Sequence, residues 1–133
     1  MNAILTARRF VDAINDHDID ALYELMAGGH RFIDGMGMEV AGREAMKRGW
    51  IGYFKIVPDY LIEIVETFDD ADTVVFLGWA SGTYTGDGTL KKENFWKTPA
   101  AWRAVVEDGK VTEWQVYADN EPIRQMMRRE GAL

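Results

Sequence analysis

Apolar residues along this chain repeat with two different periods, and the switches between them mark the elements. Ala3, Ala7, Phe10, Val11 and Ile14 recur at helical spacing and predict an amphipathic helix from about residue 3 to residue 15. Asn15-Asp16-His17-Asp18 breaks it. Asp18 then caps a second short helix through Ile19, Leu22, Leu25 and Met26, which Gly28-Gly29 would end. His30 to Met36 follows as a first strand, with a short extended piece at Glu39-Val40. Ala45, Met46, Trp50, Tyr53 and Phe54 return to a helical period between Arg43 and about Ile56, closed by Pro58. Beyond Tyr60 the period is two. One strand runs to Asp69-Asp70, a nearly all-apolar one spans Thr73 to Tyr84, and Gly86-Asp87-Gly88 is a loop.

The stretch from Phe95 to Asp119 carries the strongest local signal. Two runs rich in β-branched and aromatic residues flank Asp108-Gly109, a hairpin turn pair. With those two residues at the turn, Glu107 pairs with Lys110, Arg103 falls opposite Trp114 and Ala101 opposite Val116. One face then carries Ala101, Arg103, Trp114, Val116 and Ala118, and the other Trp102, Gln115, Tyr117 and Asp119. Neither face is plainly polar, so the hairpin needs cover on both sides, from its own helices and from a partner. Asn120-Glu121-Pro122 starts a terminal helix.

At 133 residues the chain reads as one domain, residues 1–133, with no internal repeat or linker. The absence of cysteine excludes thiol catalysis, disulfides and cysteine metal sites. A net charge of −7 argues against a nucleic-acid partner. No apolar run approaches the roughly 20 residues of a membrane span, and the first residues open no signal peptide, so a cytoplasmic protein is expected. The two histidines, His17 and His30, have no metal-ligand spacing, so no metal and no cofactor is expected.

Helix, helix, strand, helix and four long antiparallel strands is an α+β plan: a curved antiparallel sheet with helices packed on its concave face. The Asp18-Ile19-Asp20-Ala21-Leu22 helix start, Asp34 followed by Gly42-Arg43-Glu44, and Asp108-Gly109-Lys110 with Glu113-Trp114 and Tyr117-Ala118-Asp119 extend the pattern. Together they resemble the nuclear transport factor 2-like superfamily, in its SnoaL-like polyketide cyclase and ketosteroid isomerase branches, over nearly the whole chain. The resemblance implies a cone enclosing an apolar pocket, a small apolar ligand, and a homodimer formed through the outer sheet face. Members include isomerases, cyclases, dehydratases, epoxide hydrolases and proteins without catalysis, so the resemblance alone does not give the function.

Asp34 is the first candidate catalytic residue. The resemblance puts it where the isomerase branch keeps its proton-shuttling carboxylate, and Phe32, Ile33 and Met36 could wall it. The alternative is an aspartate bonding the backbone at the Gly35 turn. The isomerase branch's two enolate donors fall by the same match on Phe10 and Ala101, which cannot donate, and Pro99-x-Ala101 lacks the Arg-x-Asp of the epoxide hydrolases. Asp119 matches the acidic residue of the cyclase branch's last strand, and is equally placed to cap the terminal helix. Arg103, flanked by Ala101 and Val105, needs a partner: Asp34, Asp119, a substrate anion, or an outer-face salt bridge. His30 is a rim or structural residue; about 13 Å of strand separates it from Asp34. Trp50, Tyr53, Phe54, Trp79, Trp96 and Trp114 are candidate ligand-binding walls, or simply core. Acid/base chemistry on an apolar carbonyl compound, with Asp34 as base and Arg103 or a tyrosine hydroxyl as electrophile, is one expectation. Ligand binding or dimerisation without catalysis is the alternative.

Overall fold

Helix α1 (Ala3–Asn15) begins where the Asn2 side chain accepts the Leu5 N–H at 2.8 Å, and buries Ala7, Phe10, Val11 and Ile14 along one face. That spacing is the apolar stripe read from the sequence. The structure, a computed structural model, describes residues 2–132. After α1 come α2 (Ile19–Leu25), β1 (Met26–Ile33), β2 (Glu39–Ala41), α3 (Arg43–Ile56), β3 (Leu61–Asp70), β4 (Thr73–Thr83), β5 (Phe95–Glu107), β6 (Lys110–Ala118) and α4 (Glu121–Arg129). The strands form one six-stranded curved sheet in the order β2-β1-β6-β5-β4-β3. Its inner face and the helices share a core that includes Phe10, Ile14, Leu22, Phe76, Trp102 and Trp114. Among the described residues no helix is long and apolar enough to cross a membrane.

Three features differ from the sequence-based expectation. Gly28 and Gly29 do not end α2: the helix stops at Leu25, and both glycines lie inside β1. Met26, fully buried, already pairs with Val111, so the strand starts earlier and its register to β6 shifts before Arg31. The sheet is also mixed rather than purely antiparallel. β1 runs parallel to β6, with Phe32 opposite Trp114.

The third difference decides which side chains point inward. Asp108 (φ 50°) and Gly109 (φ 72°) form the expected turn with both residues in the left-handed region, and Glu107 pairs with Lys110. Val106 then faces Val111, but Val105 faces Glu113. Thr112 is an extra residue, its hydroxyl donating to the Val105 carbonyl at 3.1 Å. Beyond this bulge Ala104 lies opposite Trp114, Trp102 opposite Val116 and Arg103 opposite Gln115. A one-residue slip exchanges the faces. Trp102, Ala104, Trp114 and Val116 therefore face the core together, while Ala101, Arg103, Gln115 and Tyr117 face outward.

Polar clamps set the remaining geometry around the core. Asn15, ending α1, pairs with β3 like a short strand: its amide donates to the Ile62 carbonyl at 2.9 Å and accepts the Ile62 N–H at 2.8 Å. Asp59 takes the Thr83 N–H and hydroxyl, each at 2.7 Å, which ties the segment after α3 to β4. Gly82 permits that approach, since a Cβ there would lie 2.4 Å from Val57 Cγ1.

Candidate functional site

The helices do not cover the whole concave face, and a cavity of about 400 Å³ remains between α3, α4 and the sheet. Its aromatic wall is a chain of rings. Phe32 meets Trp50 at 6.3 Å and 71°, Trp50 meets Tyr53 at 6.3 Å and 85°, and Tyr53 meets Tyr60 at 5.0 Å and 86°. Trp96 closes the chain 6.1 Å from Tyr60. Edge-to-face contacts of this kind are each worth roughly 0.5–1.5 kcal/mol beyond area burial, so the wall is held in place before any ligand arrives. Trp50 and Tyr53 project from one face of α3, Phe32 from β1 and Trp96 from β5. Tyr60 is delivered by the segment that Asp59 ties down, and His17 Nε2 holds its backbone carbonyl at 3.0 Å.

Two of these rings end in hydroxyls. Burial pushes the Tyr60 phenol far above its ordinary 10.0, with the neighbouring Trp102 indole opposing the rise. Tyr53 is raised well above 10.0 by burial and then by Tyr60. Both stay protonated across the physiological range and present neutral hydrogen-bond donors in an apolar enclosure.

Asp34 lines this cavity, half-buried, in the loop between β1 and β2. Its Oδ1 accepts the N–H groups of Met36 (2.8 Å) and Met38 (3.0 Å), so it also closes the turn. The turn-closing alternative is thus observed, in a side chain that also lies on the cavity wall. Among the described residues Oδ2 has no protein hydrogen-bond donor. Gly35 lets the loop lie against the end of β6, where a Cβ would come within 3.1 Å of the Ala118 carbonyl and the Asn120 amide.

Trp50, Tyr53 and Trp96 join Asp34 on the cavity wall, whereas the other sequence candidates lie elsewhere. Arg103 faces outward because of the Thr112 bulge and pairs with Glu113, which also holds Arg31 at 2.6 Å. Asp119 is exposed and accepts the Glu121 N–H at 2.9 Å, acting at the start of α4. Trp79 lies on the outer sheet face with the Lys97 ammonium 5.4 Å from its ring centre. Trp114 is fully buried beneath Phe10, 4.9 Å between ring centres. Phe54 turns away from the cavity to stack on His17, 4.1 Å apart and 4° from parallel, so His17 is engaged rather than solvated. Sequence reasoning missed Tyr60, Thr98, Asn120 and Arg124, all of which line the cavity. For the α4 group a signal existed: positions 120, 123, 124 and 127 share one helical face. Among the described residues no group of three or more His, Asp or Glu side chains is arranged to hold a metal ion.

A mixed, curved sheet with helices enclosing an apolar hollow, entered at its mouth by a carboxylate, defines a small-molecule-binding class of α+β domain. The chain belongs to the SnoaL-like domain family, whose model matches residues 7–114. It is similar in structure to a protein from Shewanella denitrificans provisionally named a SnoaL-like polyketide cyclase (TM-score 0.81, 16% identity, 96% of this chain and 97% of that one). A similarly named protein from a Jannaschia species gives TM-score 0.78 at 22% identity, covering 94% and 89% of the two chains. A protein of ketosteroid isomerase-like fold from Catenulispora acidiphila, solved in complex with trimethylamine, gives 0.76 at 18% identity over 89% and 88%. These likenesses establish the fold, and none of the curated proteins compared matches the chain.

His30 is fully buried behind the wall, its ring 5.9 Å from Phe10, and does not line the cavity. Nδ1 lies 2.8 Å from the Val111 carbonyl and so carries the proton, while Nε2 is sealed without a partner. Burial lowers its pKa below the ordinary 6.5, against the opposing Val111 bond and Glu113 charge. The folded state thus disfavours the imidazolium: its contribution is fully present above pH 6.5 and is lost as pH falls below that value. Urea unfolding between about pH 6.5 and 5 is expected to weaken by up to about 1.4 kcal/mol per pH unit, and His30→Phe to flatten that slope. An identical slope in both proteins would contradict the assignment.

Proposed function

We propose that the chain is a small enzyme for acid/base chemistry on an apolar carbonyl compound: isomerisation, dehydration or cyclisation. Asp34 serves as base and Tyr60, with Tyr53 beside it, as electrophile. The observation that carries this reading is the pairing, in one apolar cavity, of a carboxylate whose Oδ2 has no protein donor among the described residues and of phenols that burial keeps protonated. Asp34 would take a proton from the carbon next to the carbonyl, and the electron pair would move onto the carbonyl oxygen. There a phenol O–H meets the developing charge. Return of the proton to another carbon gives isomerisation, expulsion of a β-hydroxyl as water gives dehydration, and attack on a second carbonyl gives ring closure. Tyr60 fills the role that the Phe10 and Ala101 positions cannot, and Arg103 has none in it.

A second reading, binding without turnover, is favoured by the two main-chain bonds that already occupy Asp34 Oδ1. Exchange of the α-hydrogens of β-tetralone in deuterated water, followed by NMR, separates the two. The wild type should accelerate exchange, Asp34→Asn should lose about 100-fold of it and Tyr60→Phe at least tenfold. Equal exchange with wild type and Asp34→Asn would leave only the binding reading.

The outer sheet face supports a homodimer as partner. Leu77, Trp79 and Tyr117 are exposed there around Ala101 and Pro99, an apolar stretch across three strands. Sedimentation should show a dimer that Trp79→Glu converts to monomer. A monomeric wild type would remove the partner from this face.

A further inference from the structure

The cavity wall contains one cation, Arg124, and it is not committed to any carboxylate. Its guanidinium touches the Met36 thioether, a weak acceptor, and makes no ion pair among the described residues. The contrast with its neighbours on α4 is direct: Arg128 holds Glu121 at 2.9 Å, and Arg129 holds the Asn94 side-chain oxygen at 3.0 Å. In a chain with 22 acidic residues against 15 lysines and arginines, acidic partners are in excess, yet none has been placed against Arg124. Asn120, one turn earlier on the same face, is uncommitted in a parallel way. It occupies the N-cap position of α4 but its side chain makes no capping bond, while Asp119 accepts the Glu121 N–H. Both residues line the cavity, Asn120 exposed and Arg124 half-buried.

We propose that Arg124, assisted by the Asn120 amide, anchors an anionic group, so that the ligand is an apolar ring system ending in a carboxylate. This rests on the reading of the cavity as a ligand site and names the class of molecule it takes. A guanidinium presents paired N–H donors in a plane that matches a carboxylate, and a thioether cannot compete for them. The wall of rings accepts the apolar body, and Arg124 is the one cation of the described lining that a negative charge can meet. Anchoring there would orient the ligand lengthwise, with its far end against Tyr53 and Tyr60.

The test compares binding of 2-naphthoate and its neutral isostere 2-naphthamide, followed by tryptophan fluorescence. The wild type should bind the carboxylate about tenfold more tightly than the amide. Arg124→Gln should abolish that preference by weakening the carboxylate far more than the amide, and Arg124→Lys should keep part of it. Circular dichroism confirms that the variants fold, and retained preference in Arg124→Lys shows that the charge rather than the packing matters. If the wild type binds both probes equally, or Arg124→Gln keeps the preference, the anchor is overturned and the cavity reading stands. If neither probe binds, the cavity reading falls, and the anchor with it.

Discussion

One extra residue, Thr112, governs what this molecule can do. Without it the hairpin of β5 and β6 would send Arg103 to the same face as Trp114. With it, Trp102, Ala104, Trp114 and Val116 turn inward together, and Arg103 pairs with Glu113 on the outside. Apart from the Thr98 hydroxyl the inner face of the hairpin beyond the bulge is apolar, so no charge from these two strands reaches the interior. The same slip leaves Ala101 and Tyr117 on the outer face, beside Leu77 and Trp79, which gives that face its apolar character.

A sheet interior without charge leaves the charged groups of the cavity to come from elsewhere. Loop and helix residues supply them: Asp34 from the turn after β1, and Arg124, with the Asn120 amide, from the first turns of α4. The aromatic hydroxyls enter from α3 and from the tethered segment before β3. Charges stand at the mouth and neutral donors stand deeper, the distribution that desolvation favours, since a buried unpaired ion costs far more than a buried phenol. Rings locked edge to face keep the hollow from collapsing, so it is largely formed in advance of a ligand.

Much of the architecture was legible in the sequence, and the site was legible in part. Helical periods located α1 and α3, the Asn120-Glu121-Pro122 start signal located α4, and Asp108-Gly109 located the hairpin turn. The bulge was not visible, because Thr112 is an ordinary strand residue with no glycine or proline to mark it. The placing of Ala101, Trp102 and Arg103 relative to β6 was therefore inverted, while Trp114, Val116 and Ala118 kept the shared face expected of them. Gly28-Gly29 read as a helix end because glycine usually punctuates helices, but the burial of Met26 started the strand before them. His30 was read as a rim or structural residue and Trp114 as a cavity wall or core residue, and depth within the core is a tertiary property that local pattern does not carry. Trp50, Tyr53 and Trp96 were found because an aromatic on an inward helical or strand face has few places to go. Tyr60 was passed over because it sits in a plain alternating run, and only the Asp59 clamp reveals which way it points.

The central claim is that a ligand enters the hollow lined by Phe32, Trp50, Tyr53, Tyr60 and Trp96, past Asp34. The five tryptophans report on it independently, since they occupy the cavity wall, the core and the outer face. Titration with β-tetralone, followed through the indole N–H resonances, should shift Trp50 and Trp96 together with the Asp34 amide and leave Trp79 unmoved. Movement of Trp79 with Trp50 and Trp96 unchanged would put the ligand on the outer face and contradict the assignment.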